Sequence, residues 1–295
     1  MKQLKKFSIL FICLLLIATG VLSLILFYKF SISVAITPIS DGCTIYKDHC
    51  THVSFQTRDK ITLDAILVDN PTAEDIAIYV HGFGMNNGDS YAHGKIETLL
   101  ALNFKVFALN LRNHGYSQKT STTAGKTEAL DVLAAINYIE TYLNVKPTLM
   151  WCTSMGCNAT IYGIIEKEFE KPDFSIPDLI IESPMEEVYA SVRSFVPTMS
   201  SLPWIPFGFF ALKFAEIYAG ISFGNQHIAE DIKIIQSKYC YVFFGNHDEF
   251  FSQNNAELIT KNGHCKLIII DQATHFDTWP LGKDQFIHAI QAHSL

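Results

Sequence analysis

From residue 76 onward, short apolar runs alternate with longer stretches of helical period, and this alternation decides what the chain can fold into. Runs at 76–80, 104–110, 148–152, 179–181, 239–244 and 266–270 have strand length and almost no polar face. Segments at 91–102, 124–142, 155–167, 254–261 and 285–292 carry apolar residues at helical spacing. A strand with two apolar faces must be covered on both, which is what helices crossing between parallel strands do. Ahead of them, runs at 51–58 and 61–68, joined at Asp59-Lys60, predict an antiparallel hairpin. The expected fold class is therefore α/β: one doubly wound, mostly parallel sheet spanning 51–295. No internal repeat or low-complexity tract interrupts it.

The chain has 295 residues, 49% apolar and 17% charged, which excludes a disordered or collagen-like polymer. Its net charge of −7 and the lack of any basic run beyond the N-terminus argue against a nucleic-acid partner. Mean hydropathy is +0.19, and the excess has two local sources.

The first is the N-terminus. Lys2, Lys5 and Lys6 precede an uncharged run of 21 residues, 7–27, with Lys29 close behind. At ~1.5 Å per residue the run spans about 31 Å, the thickness of a bilayer core. Residues 1–30 are read as an uncleaved membrane anchor, with a cleaved signal segment as the alternative because Ala18-Thr19-Gly20 offers a small-residue site. The lysines place the N-terminus in the cytoplasm and the remainder in the periplasm or cell exterior. Beyond residue 30, 18 basic side chains face 29 acidic ones, a net of −11, so the exported body is acidic.

Residues 31–50 read as a linker. Within it Cys43 and Cys50 close a short loop, which in an oxidising compartment favours a bridge. Cys240 and Cys265 lie at two consecutive predicted strands and read as buried free thiols, pairing only if the strands are neighbours. No Cys-x-x-Cys pair or helical His pair suggests a metal site.

The second source lies between 185 and 235, where no strand is expected. From Phe195 to Phe223 there are eight aromatics, three prolines and only two charges, Lys213 and Glu216. Proline breaks it too often for a second membrane span. It reads as a helical cap over the strand ends, where open α/β sheets bind ligands; ordinary helix packing is the plainer alternative.

The most informative stretch is Trp151-Cys152-Thr153-Ser154-Met155-Gly156-Cys157. A strand ends, a helix starts, and one serine stands at the junction. Small residues two before and two after a serine allow a sharp strand-to-helix turn that exposes its oxygen. Cys152 occupies the first small position where glycine is usual. Alone, such a serine is more often a helix cap. It is not alone. HGFG at 81–84, LRNHGYS at 111–117, GNHDEF at 245–250 and ATHFDTW at 273–279 each follow a predicted strand. Taken in order, the chain from residue 51 onward resembles the α/β-hydrolase family, with Asn113 replacing a glycine of the second motif.

The resemblance implies a nucleophile at Ser154, a general base at His275 and an acid at Asp248, with backbone N–H groups of Phe83 and Met155 forming an oxyanion hole. Glu249 is the rival acid. His81, His114 and His247 are expected as loop histidines, Glu182 as part of a solvated turn with shaping the site as the alternative, and Cys152 and Cys157 as buried inert thiols with a reactive thiol as the alternative. The resemblance implies a serine hydrolase acting through an acyl-serine intermediate, with neither metal nor organic cofactor. The aromatic cap suggests an apolar, lipid-like ester; a thioesterase, a peptidase using Glu186, Glu187 or Glu216, or a silent binding domain are the alternatives. Gly125-Lys126-Thr127 lacks the rest of a phosphate-binding loop. The oligomeric state is not legible.

Overall fold

A computed structural model describes residues 2–34 and 36–292. Helix α1 (Lys2–Phe27) is followed by the short α2 (Cys43–Tyr46), strands β1 (Cys50–Gln56), β2 (Thr62–Val68) and β3 (Ile76–Val80), and helix α3 (Ser90–Ala101). Strand β4 (Lys105–Asn110), helix α4 (Ala129–Tyr138), strand β5 (Pro147–Thr153), helix α5 (Met155–Glu170) and strand β6 (Asp178–Glu182) continue the alternation. Helices α6 (Val188–Ser200), α7 (Phe209–Ala219) and α8 (Ile228–Asp231) come next. Strand β7 (Cys240–Gly245), α9 (Gln253–Asn262), β8 (Lys266–Ile270) and α10 (Thr278–Gln291) close the chain.

The eight strands form one sheet in the order β1-β2-β4-β3-β5-β6-β7-β8. β1 and β2 pair antiparallel, as do β2 and β4; the remaining pairs are parallel. Burial explains the composition. β3 and β6 are buried along their whole length, and β5 nearly so, because helices cover both faces. The edge strand β1 alternates between solvent and core. One face packs under α4, α5 and α9. The other packs under α3 and α10, where Trp151, Phe243, Trp279 and Phe286 stack on one another.

Two helix boundaries depart from the periodicity. α4 starts five residues later than the spacing at 124–142 suggests. The Glu128 carboxylate first accepts N–H bonds from Thr123 (2.8 Å) and Gly125 (3.0 Å), holding a turn. α10 starts earlier than 285, and its first turns contain Pro280 and Gly282, residues that look like breakers. Proline is tolerated in a first turn. Gly282 lies so close to the Ile270 side chain that a Cβ would collide with it.

The 31–50 segment is not a free tether. Ile36 and Thr37 donate N–H bonds to the Gly84 carbonyl, and Asn113 donates its side-chain amide to the Ser31 carbonyl at 3.1 Å. Cys43 and Cys50 are bridged, as expected. Cys240 and Cys265 are bridged as well, correcting their reading as free thiols: β7 and β8 are neighbours, so the two side chains meet.

Between β6 and β7 the chain builds the helical cap. α6, the turn Trp204–Gly208 and α7 lie over the carboxyl ends of the strands, and Phe195 of α6 touches Phe83 and Phe250 from loops below. α1 is long and apolar enough to cross a membrane. Its last turns pack on α7 and the turn before it.

Candidate active site

The carboxyl ends of β5, β7 and β8 deliver the three side chains expected from the motifs to one place. Ser154 sits at the β5–α5 junction with φ 50° and ψ −121°. This strained backbone projects its oxygen away from the sheet. Close approach enforces the turn. A Cβ on Gly156 would collide with the carbonyls of Val80 and His81. Cys152 fills the other small position and is bridged to Cys157 on the first turn of α5, not left as a thiol. The Ser154 N–H donates to the Glu182 carbonyl at 2.8 Å, tying the turn to β6.

His275 Nε2 lies 3.1 Å from Ser154 Oγ, and His275 Nδ1 lies 2.7 Å from Asp248 Oδ2. All three side chains are buried. Asp248 is held from its other oxygen, which accepts the N–H groups of Phe250 and Phe251, each at 2.9 Å. The imidazole is walled by Phe250, Phe251 and Phe276, all edge-on. Such a line lets a hydroxyl pass its proton to an imidazole whose cationic form a carboxylate then stabilises. Glu249 does something else: it accepts the His275 backbone N–H at 3.2 Å. His247 is exposed.

The 81–84 loop lies against the same serine. A Cβ on Gly82 would touch Ser154 Cβ at 3.4 Å, and Phe83 and Met155 border the same cavity as Ser154. Among the described residues neither the Phe83 nor the Met155 N–H has an acceptor. His81 shapes the loop: its Nδ1 bonds the Gly82 carbonyl at 2.7 Å and its Nε2 accepts the Leu111 N–H at 3.2 Å. His114 bonds the Arg112 carbonyl at 2.8 Å. Arg112 itself grips the buried Asp131 and also Asp59 of the hairpin. The 111–117 motif is thus structural, and Asn113 fills its glycine position at φ 67°.

Glu182 is not in a solvated turn. Its carboxylate is buried beneath Ser154, 2.7 Å from Lys95 Nζ, and it accepts bonds from Thr153 Oγ1 (2.9 Å) and Trp151 Nε1 (3.1 Å). Lys95 also donates to Thr153 Oγ1 at 3.0 Å. This network holds Thr153, next to the serine, and Trp151, three residues before it, and was missed in the sequence. Its one signal is that Lys95 falls on the buried face of α3, with Ala92, Ile96 and Leu99.

Above Ser154 the cavity is apolar. Its walls are Phe83, Met185 and Phe251 from the body, Val192, Phe195 and Val196 from α6, Ala211, Leu212 and Ala215 from α7, and Leu26, Phe27 and Phe30 from the N-terminal segment. No charged side chain is among them. Glu216 points elsewhere, bonded to Lys213 at 2.6 Å and to the Phe223 N–H at 3.0 Å.

Sheet order, the serine turn and the loop positions define an α/β hydrolase by fold, and the comparisons agree. The profile of the alpha/beta hydrolase fold family matches residues 78–162. The chain has that fold. An esterase from Pyrococcus furiosus is similar in structure, with a TM-score of 0.71 at 19% identity over 90% of this chain and 97% of the esterase. An α/β hydrolase from Penicillium sp. sh18 gives 0.60 at 16%, over 82% and 96% of the two chains. A lidless α/β serine hydrolase from Xanthomonas campestris gives 0.56 at 14%, over 87% and 96%. No curated protein matches in sequence.

Proposed function

We propose that this chain is a membrane-anchored serine hydrolase that cleaves esters of apolar acyl groups. The observation that carries the reading is the unbroken line from Ser154 Oγ through His275 to Asp248, at 3.1 and 2.7 Å. His275 takes the Ser154 proton as Oγ attacks the ester carbonyl carbon. The resulting oxyanion faces the Phe83 and Met155 N–H groups, and such a donor is worth roughly 2.7–4 kcal/mol in the transition state. His275 then protonates the departing alcohol as the tetrahedral intermediate collapses to acyl-Ser154. A water, deprotonated by the same imidazole, releases the acid and restores the hydroxyl. Asp248 fixes the imidazole tautomer throughout.

The uncharged cavity supports an acyl or alkyl group over a substrate amine, which a peptidase would hold with a carboxylate. Glu216 is committed to Lys213. An uncleaved anchor is supported over a removed signal segment because the apolar run continues through residues 21–27, beyond the small-residue site at 18–20. By the distribution of lysines the body lies outside the cytoplasm.

A fluorophosphonate probe is expected to label the full chain at Ser154. Ser154→Ala should abolish labelling and lower kcat for p-nitrophenyl butyrate by about a millionfold. Labelling that survives in Ser154→Ala would remove this serine from the role.

A further inference from the structure

The anchor is built into the cavity. Residues 7–18 of α1 are exposed all round, but from Thr19 the helix is partly covered, with Ser23 and Leu26 fully buried. The cover is α7 and the turn Trp204–Gly208, and Phe27 meets Tyr218 edge-on. Thr19 to Phe27 spans about 12 Å of helix. Lys29, just beyond, marks the polar end of the span. With Lys29 at the headgroups, α7 runs beside the part of α1 that lies within the apolar layer.

The cap surface suits that position. Ile205, Phe210, Ile217 and Tyr218 are 73, 45, 79 and 63% exposed, and all belong to α7 or the turn before it. In water such a patch is costly; in a leaflet it is at home. The only charges on α7, Lys213 and Glu216, are bonded to each other. Leu26 and Phe27 of α1 and Ala211 and Ala215 of α7 are walls of the same cavity that has Ser154 at its base.

We propose that α1 and α7 form a gate within the outer leaflet, and that the substrate is a membrane lipid ester whose fatty acyl chain enters sideways between them to reach Ser154. The proposal rests on the hydrolase reading above and adds the substrate class and its route. The anchor is then a wall of the acyl site as well as an attachment.

The test uses the full chain reconstituted in phosphatidylcholine vesicles carrying monooleoylglycerol, with p-nitrophenyl butyrate as a soluble comparison. The double variant Ile205→Glu/Ile217→Glu alters two exposed residues that do not border the cavity. It should hydrolyse the vesicle ester at least about tenfold more slowly, with butyrate turnover and fluorophosphonate labelling held within about twofold. Leu26→Trp should lower the ratio of oleoyl to butyryl turnover by a similar factor, because it narrows the gap between the helices. Vesicle rates equal to wild type in the double variant, or an unchanged chain-length ratio in Leu26→Trp, would overturn the gate. A wild type that is labelled and cleaves butyrate but ignores the vesicle ester overturns the gate alone. A wild type that is neither labelled nor active removes the hydrolase reading beneath it.

Discussion

Under the serine turn, an ammonium, a carboxylate, a hydroxyl and an indole N–H are bonded together out of reach of water, through Lys95, Glu182, Thr153 and Trp151. A buried charge that loses its partner keeps its desolvation cost, about 3–5 kcal/mol. Lys95→Met should therefore lower the thermal midpoint by roughly 10 °C. Adding Glu182→Gln in the same chain should recover much of the loss, since neither charge then remains. A double variant no more stable than Lys95→Met alone would show that the pair is not the source. The meeting of residues 154, 248 and 275 was legible in the sequence because each lies within a few residues of a strand end in a recognisable motif. Lys95 was not, because a single lysine on an apolar helix face reads as snorkelling until its partner on another strand is seen. The same gap misplaced Glu182: an acid at a strand end looks solvated unless the cation above it is known.

Among the elements, α1 has the clearest signature and the least expected use. Its length and apolarity were plain from the sequence. Its contacts with the cap were not, because a helix able to face lipid on every side shows no periodicity that marks a packed face. A reporter fused at the C-terminus should be active only in its exported form, with the anchor retained in the mature mass. Activity in the cytoplasm would reverse the topology. The strands were found nearly to the residue because central parallel strands have no polar face. The starts of α4 and α10 were missed for local reasons: a glutamate-held turn delays one, and a proline and glycine sit inside the other.

At the scale of the whole molecule, stability should depend on pH through two buried imidazoles. Burial pushes His114 down to about 3, helped by the neighbouring His81, and burial lowers His81 as well. Unfolded, each would take up a proton near pH 6.5. Below that the unfolded chain binds protons that the folded chain refuses, so stability falls as pH drops from about 6.5 toward 3. His114 contributes about 1.4 kcal/mol per pH unit in that window, and the lowered His81 adds to it in the same direction. Unfolding followed by tryptophan fluorescence between pH 7.5 and 5.5 should show the decline, and His114→Gln should make it shallower. An unchanged slope in that variant would assign the dependence to other groups. The −11 charge of residues 31–295 was legible from counting alone; the pairing of these histidines required the fold.

Leu26, Ser31 and Val34 are buried where the chain leaves α1, and Asn113 holds the Ser31 carbonyl. On the anchored reading proposed above, a chain clamped at that point has no swivel. The body would be moored at one height and one tilt, and encounters with a lipid would take place in two dimensions. Turnover would then follow the mole fraction of ester in the surface rather than its bulk concentration, and diluting the vesicles would leave the rate per enzyme unchanged.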